Sequence, residues 1–301
     1  MKCINGAYWL IALLLLAGCD AEQASIQANA PKSVTSDLAA MTPLQRAKAG
    51  KALWEEKCRS VAGEKIYKVV PDVEGLVLLK VRPKAGVQEW ADPNWPGAAF
   101  AKEAQRDEYV NTFLGYEYAT FTLGRDEPNK ITKEQRGYIA TDSRPGLMDR
   151  PGYSYIDVVD PGDGKRYRYT GSIKVVGRKD TEAEGVQMAL ARNPDYDLNI
   201  YRWALDRNPA PDLSPLYGVT FEDHVIPSER ALGVASSTVR VINLKTGDVL
   251  GEMLRYVWST PASRANPSPW LTAYKCPGHA VGAEAATRKF VDQILIPRKE
   301  K

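Results

Sequence analysis

The sequence predicts an α+β fold: a mostly antiparallel β-sheet built from hairpins, with an N-terminal and a C-terminal helix. Three observations carry this expectation. Period-two runs of β-branched and aromatic residues recur between Ile66 and Trp258. Two pairs of these runs are joined by Asp/Gly turns. The helical periodicity is concentrated at the two ends.

Taken in order, Thr42-Pro43 supplies an N-cap and a proline at the first helical position, and Leu44, Ala47, Trp54, Cys58 and Val61 then share one helical face until Gly63. The helix is expected to dock through Trp54 and Cys58. From Glu64 the period changes to two, and Ile66–Val70 and Leu76–Val81 read as an antiparallel pair turning at Pro71-Asp72. Residues 82–108 form an irregular connection carrying Trp90 and Trp95, of a length that usually marks function. Strand patterns return at Tyr109–Thr122 and Gly137–Thr141.

The clearest local structure is two hairpins. Tyr153–Val159 turns through Asp160-Pro161-Gly162-Asp163-Gly164 into Lys165–Val176, and Thr238–Leu244 turns at Lys245-Thr246-Gly247-Asp248 into Val249–Trp258. Between them, Thr181-Glu182-Ala183-Glu184 reads as a capping box opening a short helix that Asn193-Pro194 ends. Strands are expected at Ile200–Leu205 and Tyr217–Phe221, and a final helix over Val281–Leu295, with Ala286, Phe290 and Ile294 on one face.

The first nineteen residues have a different character. Lys2 precedes an apolar run from Ala7 to Leu16, then Ala17, Gly18 and Cys19, which is the anatomy of a secretory signal. Leu16-Ala17-Gly18-Cys19 resembles the lipobox of bacterial lipoproteins. The resemblance implies that residues 1–18 are a signal peptide and that Cys19 carries the lipid, palmitate included. Two or more acyl chains then anchor the chain stably at a membrane. Ten apolar residues are short for a hydrocarbon core that takes about 20. Residues 19–41, polar and small, read as a flexible tether, and 42–301 as a single globular domain. The implied location is the bacterial cell envelope, facing the periplasm. Asp20 resembles the inner-membrane retention signal of enteric bacteria, which favours that membrane over the outer one.

Forty basic against thirty-seven acidic residues give a net charge of +3, too balanced to indicate nucleic acid. Of four cysteines, Cys3 leaves with the signal and Cys19 is lipidated. Cys58 and Cys276 remain in an oxidising compartment and are expected to form a disulfide, two free or metal-bound thiols being the alternative. The segment GKALWEEKC, ending at Cys58, looks like the helix leading into the haem-attachment motif of cytochromes c. Arg59-Ser60-Val61-Ala62 then lack the second cysteine and the histidine, so no haem is expected.

G-x-S-x-G, H-E-x-x-H, Walker and Rossmann motifs are absent, so neither a catalytic residue nor a nucleotide cofactor is indicated, and no cofactor is expected. Asp223, His224 and Ser228 or Ser236 allow a hydrolytic triad on paper only, and His279 reads as a loop residue. Asp195, Asp197, Asn199 and Asp206 are spaced as in a calcium loop. Ile200, however, occupies the position that needs glycine, so no metal is expected.

What stands out is a surplus of aromatics with polar tips, fifteen Tyr and seven Trp against five Phe. Tyr116/Tyr118, Tyr153/Tyr155 and Tyr167/Tyr169 fall at i and i+2, on one face of a strand. With Arg166 and Arg168 beside them, and with Trp90, Trp95 and Trp270 in loops, they make a candidate protein-binding set. Core or edge packing of each tyrosine is the alternative. The expected function is a non-catalytic protein-binding lipoprotein. Its layout is similar to that of immunity proteins acting on envelope-targeted toxins. An envelope hydrolase and an assembly lipoprotein of an envelope machine are the competing readings.

Overall fold

Gly75-Leu76-Val77-Leu78 is apolar without alternation, the pattern of a strand covered on both faces. In a computed structural model of the chain it is the fully buried centre of a large sheet. The structure describes residues 38, 40–114, 152–278 and 285–298. The lipobox, Cys19, Tyr116/Tyr118, the strand expected at Gly137–Thr141 and His279 lie outside these residues.

The chain divides into two units, residues 1–48 and 49–301. In the first, the Thr42 N–H donates to Gln45 Oε1 at 2.8 Å and the Gln45 N–H to Thr42 Oγ1 at 3.3 Å. This reciprocal cap opens helix α1 (Pro43–Ser60), as Thr42-Pro43 led one to expect, and from Ala49 onward the helix belongs to the second unit. Leu44 and Val61, expected on its docking face, stay exposed.

The second unit is built on β1 (Gly63–Ile66), β2 (Val70–Val73), β3 (Gly75–Leu78), β4 (Tyr155–Val159), β5 (Arg166–Arg178), β6 (Asn199–Pro209), β7 (Tyr217–His224), β8 (Val234–Asn243), β9 (Val249–Trp258), β10 (Tyr274–Cys276) and β11 (Leu295–Pro297). Helices are short: α2 (Val87–Ala91), α3 (Asp107–Leu114), α4 (Glu184–Arg192), α5 (Pro227–Arg230) and α6 (Ala286–Val291). The main sheet has nine strands in the order β1-β9-β8-β7-β3-β4-β5-β6, with β10 also on β9.

The sheet corrects the expected fold class. It is mixed, because β3 pairs parallel with both β4 and β7, and β2 with β11 forms a second, parallel pair. The supposed antiparallel hairpin across Pro71-Asp72 does not exist. Those two residues lie inside β2, where Asp72 takes a left-handed φ of 59°. Residues 109–114, expected as the start of a strand, belong to helix α3, whose Tyr109, Val110, Phe113 and Leu114 enter the core at helical spacing. The expected C-terminal helix shortens to α6 and is followed by strand β11. Helix α4 starts from Ala183 with no side-chain cap. Asp180 Oδ1 instead accepts from the Glu182 N–H at 2.9 Å.

Both expected hairpins form. In β8–β9, Asn243 Oδ1 accepts from the Lys245 N–H at 3.0 Å and Gly247 takes a φ of +79°, a turn that only glycine makes at little cost.

On the inner face of the sheet Leu76, Leu78, Ile156, Val219, Val239, Val241 and Met253 pack against Phe113, Phe290, Val291 and Ile294. A polar seam crosses this core. Arg82 is held by Glu103 at 3.2 Å and by Asp223 at 2.7 Å. Glu103 also takes the Thr287 N–H at 2.7 Å and the Thr287 hydroxyl at 2.8 Å, and Ser237 donates to Asp223 at 2.6 Å. On the opposite face, Trp54 of α1 donates to the Tyr256 carbonyl at 3.4 Å, and its ring lies 5.9 Å from that of Tyr274. There Cys58 and Cys276, 218 residues apart, lie at disulfide distance with Cα atoms 5.8 Å apart.

Candidate protein-binding face

The turn at Asp160–Gly164 fixes the geometry of the candidate site. Asp160 Oδ1 accepts from the Gly162 N–H at 2.8 Å, Asp163 Oδ1 accepts from the Lys165 N–H at 2.9 Å, and Gly164 takes a φ of +68°. The turn sets Val159 opposite Arg166, Asp157 opposite Arg168 and Ile156 opposite Tyr169. Residues opposite one another in an antiparallel pair share a face. Tyr155, Asp157, Arg166 and Arg168 therefore point outward, and Ile156, Val158, Tyr167 and Tyr169 inward.

The outward group is tightly organised. Arg168 holds both oxygens of Asp157, Nε to Oδ1 at 2.7 Å and Nη2 to Oδ2 at 3.1 Å. Arg166 Nε lies 3.3 Å from Oδ2. The Asp157 side chain is 0% exposed, whereas those of Arg166 and Arg168 are 20% and 23% exposed. The carboxylate is thus an internal clamp, and the two cations are its accessible outer layer. The Arg168 guanidinium sits 3.6 Å from the centroid of the Tyr155 ring, a cation–π contact. That ring lies over Gly75, where an added Cβ would collide with it. Hydrogen bonding to Asp157 raises the pKa of Arg168 above its usual value, and burial raises the Tyr155 phenol. The rim is charged: Arg298 reaches Asp72 at 3.1 Å and Glu74 at 3.3 Å.

The expected binding set divides accordingly. Tyr155, Arg166 and Arg168 form the outward cluster. Tyr167 lies on the other face, at the end of the hairpin, donating to Asp163 at 2.7 Å with the Arg207 guanidinium 3.7 Å from its ring centroid. Tyr169 packs on the core, as does Trp90. Trp95, Tyr153 and Trp270 are buried, so the expectation that they form a binding surface is replaced by a structural role. Tyr153 donates to the Leu295 carbonyl at 2.7 Å and Trp270 to the Asp92 carbonyl at 2.7 Å, each tying a distant segment to the core. Asp157, the centre of the cluster, was missed in the sequence. Its signal was a charged residue in the middle of the apolar run Tyr155-Ile156-Asp157-Val158-Val159.

The triad drawn from Asp223, His224 and Ser236 is not assembled. Asp223 points to the inner face, occupied by Arg82 and Ser237. His224 points to the other face, where its Nε2 meets Thr238 Oγ1 at 2.9 Å. Asp206 is paired with Lys174 at 2.8 Å on the β5–β6 ribbon, and Ile200 lies in a strand as expected. No group of three or more His, Cys, Asp and Glu among the described residues is arranged to hold a metal. Nor is any helix among them long and apolar enough to cross a membrane. Comparison of the chain with protein-family models, with curated proteins and with solved structures gives no match.

Proposed function

We propose that this chain is a lipid-anchored protein of the bacterial envelope that binds another protein, without catalysis, through the outward face of β4 and β5. The observation that carries the reading is the Tyr155–Arg168–Asp157–Arg166 cluster. Tyr and Arg dominate the energetics of protein interfaces, and an anchor already fixed in place loses little conformational entropy on binding. Here the guanidinium is fixed on both sides, by the bidentate carboxylate and by the aromatic ring. The rim of Asp72, Glu74 and Arg298 adds charge that selects among partners and steers their approach.

Location supports the same reading. Lipid on Cys19 keeps the protein where exported or incoming proteins arrive, and the Cys58–Cys276 pair suits an oxidising compartment. A lipobox, a short tether and a β-rich domain match the layout of immunity proteins that neutralise envelope-directed toxins, and an exported toxin is the partner proposed. The test is capture of that partner from envelope extracts by the full chain and by its Tyr155→Ala variant. A partner bound by the first and lost by the second supports the face.

A further inference from the structure

The two ends of the main sheet are built differently. At one end β9 is bordered by β1 and β10, strands of only four and three residues. Short edge strands guard a sheet against pairing with another chain. At the other end stands β6, eleven residues from Asn199 to Pro209, which among the described residues pairs with β5 alone. Its one proline is the terminal Pro209, and it has neither glycine nor lysine. Such an edge is an open template for a further strand.

The register fixes which backbone groups face that opening. The Ala210 N–H donates to the Arg166 carbonyl at 3.0 Å, and Tyr167 through Val175 then stand opposite Pro209 through Tyr201 without a break. Hydrogen-bonded and non-hydrogen-bonded pairs alternate along an antiparallel ladder. Asn208, Asp206, Ala204 and Arg202 therefore turn their N–H and C=O toward β5, whereas Arg207, Leu205, Trp203 and Tyr201 turn theirs to the open edge. Pro209, with no N–H to give, falls on the open side as well.

The charges along β6 select the strand that covers it. Arg202 stands opposite Lys174, so two cationic residues occupy facing positions on the ribbon, an unfavourable pairing. Asp206 holds the Lys174 ammonium from the diagonal position at 2.8 Å. A second β6 laid antiparallel along the edge, with the two-fold axis at Ala204, sets Tyr201 and Trp203 in hydrogen-bonded positions opposite Arg207 and Leu205 of the second copy. The same register places Arg202 opposite Asp206 of the second copy, twice by symmetry, at the non-hydrogen-bonded positions where facing residues come closest. Registers centred on Arg202 or on Asp206 set like charges against each other, and registers centred on Trp203 or Leu205 bring neither charge opposite its counterpart.

We propose that the protein forms a two-fold symmetric homodimer in which the β6 edges of two copies pair antiparallel about Ala204 and join the two sheets into one. The contact is isologous and therefore closed, so assembly stops at two copies. It uses an edge of the sheet and does not depend on the function assigned to the outward face.

The test is sedimentation equilibrium of the full chain in density-matched detergent, with micelles in large excess so that two independent chains do not share one. The wild type is expected to sediment as a dimer. Arg202→Asp and Asp206→Arg each place like charges opposite one another at both symmetry-related positions, and each is expected to weaken dimerisation by at least about tenfold. Mixed in equal amounts, the two variants are expected to recover a dimer containing one chain of each, because every charge then meets its opposite. Mixing does not repair a folding defect, so this recovery separates a lost contact from a damaged chain. The double variant Arg202→Asp/Asp206→Arg exchanges the charges within each copy and is expected to dimerise as the wild type does, which keeps the test in force if a single variant does not fold. A wild type that stays monomeric up to roughly 100 μM overturns the proposal. So do folded single variants that dimerise as well as the wild type, a mixture of folded single variants that stays monomeric, or a monomeric double variant.

Discussion

Arg168 and Asp157 face each other across the β4–β5 hairpin, and the guanidinium takes both carboxylate oxygens at 2.7 and 3.1 Å while lying 3.6 Å from the Tyr155 ring centroid. The carboxylate is fully buried, so the pair works as a fixed support for what lies above it. Replacing Asp157 by Ala leaves Arg166 and Arg168 without their common acceptor. A stability loss of about 2 to 3 kcal/mol is expected from urea unfolding, less than for a wholly buried pair because both cations retain some water.

The pairing of Cys58 with Cys276 closes a loop spanning 218 residues. In the chain-entropy account such a closure contributes about 4 to 5 kcal/mol by restricting the unfolded chain. Chemical denaturation of a Cys58→Ser/Cys276→Ser variant beside the oxidised wild type is expected to show a loss of this size. Equal midpoints would mean that the bond is not formed in the protein.

Tyr109 and Tyr153 have phenols pushed above the usual value of 10.0, in both cases chiefly by burial. Above pH 10 the unfolded chain releases these protons while the folded chain keeps them. The unfolded state then binds fewer protons, and stability falls as pH rises. Stability is expected to be level through neutral pH and to drop above pH 10 by about 1.4 kcal/mol per pH unit for each tyrosine. Urea midpoints across that range measure it, and tyrosinate absorbance should appear together with unfolding, not before it.

Lipidation is tested at Cys19. Cys19→Ser is expected to move the protein from the membrane to the soluble fraction on cell fractionation. Unchanged membrane association would mean that another segment holds it there.

Much of the fold was legible where local chemistry decides it. The Asp160–Gly164 and Lys245–Asp248 turns and the Thr42 cap each rest on a few neighbouring residues, and the pairing of Cys58 with Cys276 rested on the count of cysteines left to the exported domain. What was not legible depends on distant partners. The parallel pairing of β3 with β4 and β7 brings together segments far apart in sequence, and its one local sign was the uninterrupted run Gly75-Leu76-Val77-Leu78. Residues 107–114 carry aromatics that suit a strand, yet Tyr109 and Phe113 are spaced for a helix and meet edge-to-face with centroids 5.4 Å apart. Period two correctly put Tyr167 and Tyr169 on one face, but it equally places Arg166 and Arg168 on the other. Trp95, Tyr153 and Trp270 were indistinguishable from surface anchors until burial was known, because Tyr and Trp serve both roles.

The outward cluster is the centre of the functional account, and Tyr155→Ala addresses it most directly. The substitution removes the ring beneath Arg168 and leaves the Asp157 clamp and the core in place. Affinity for the partner captured from envelope extracts, measured with the full-length wild type and variant, should fall at least about 30-fold, the loss of a hot-spot residue of roughly 2 kcal/mol. The urea midpoint should stay close to that of the wild type. A partner held with unchanged affinity by Tyr155→Ala, at unchanged stability, would contradict the account and place the binding surface elsewhere.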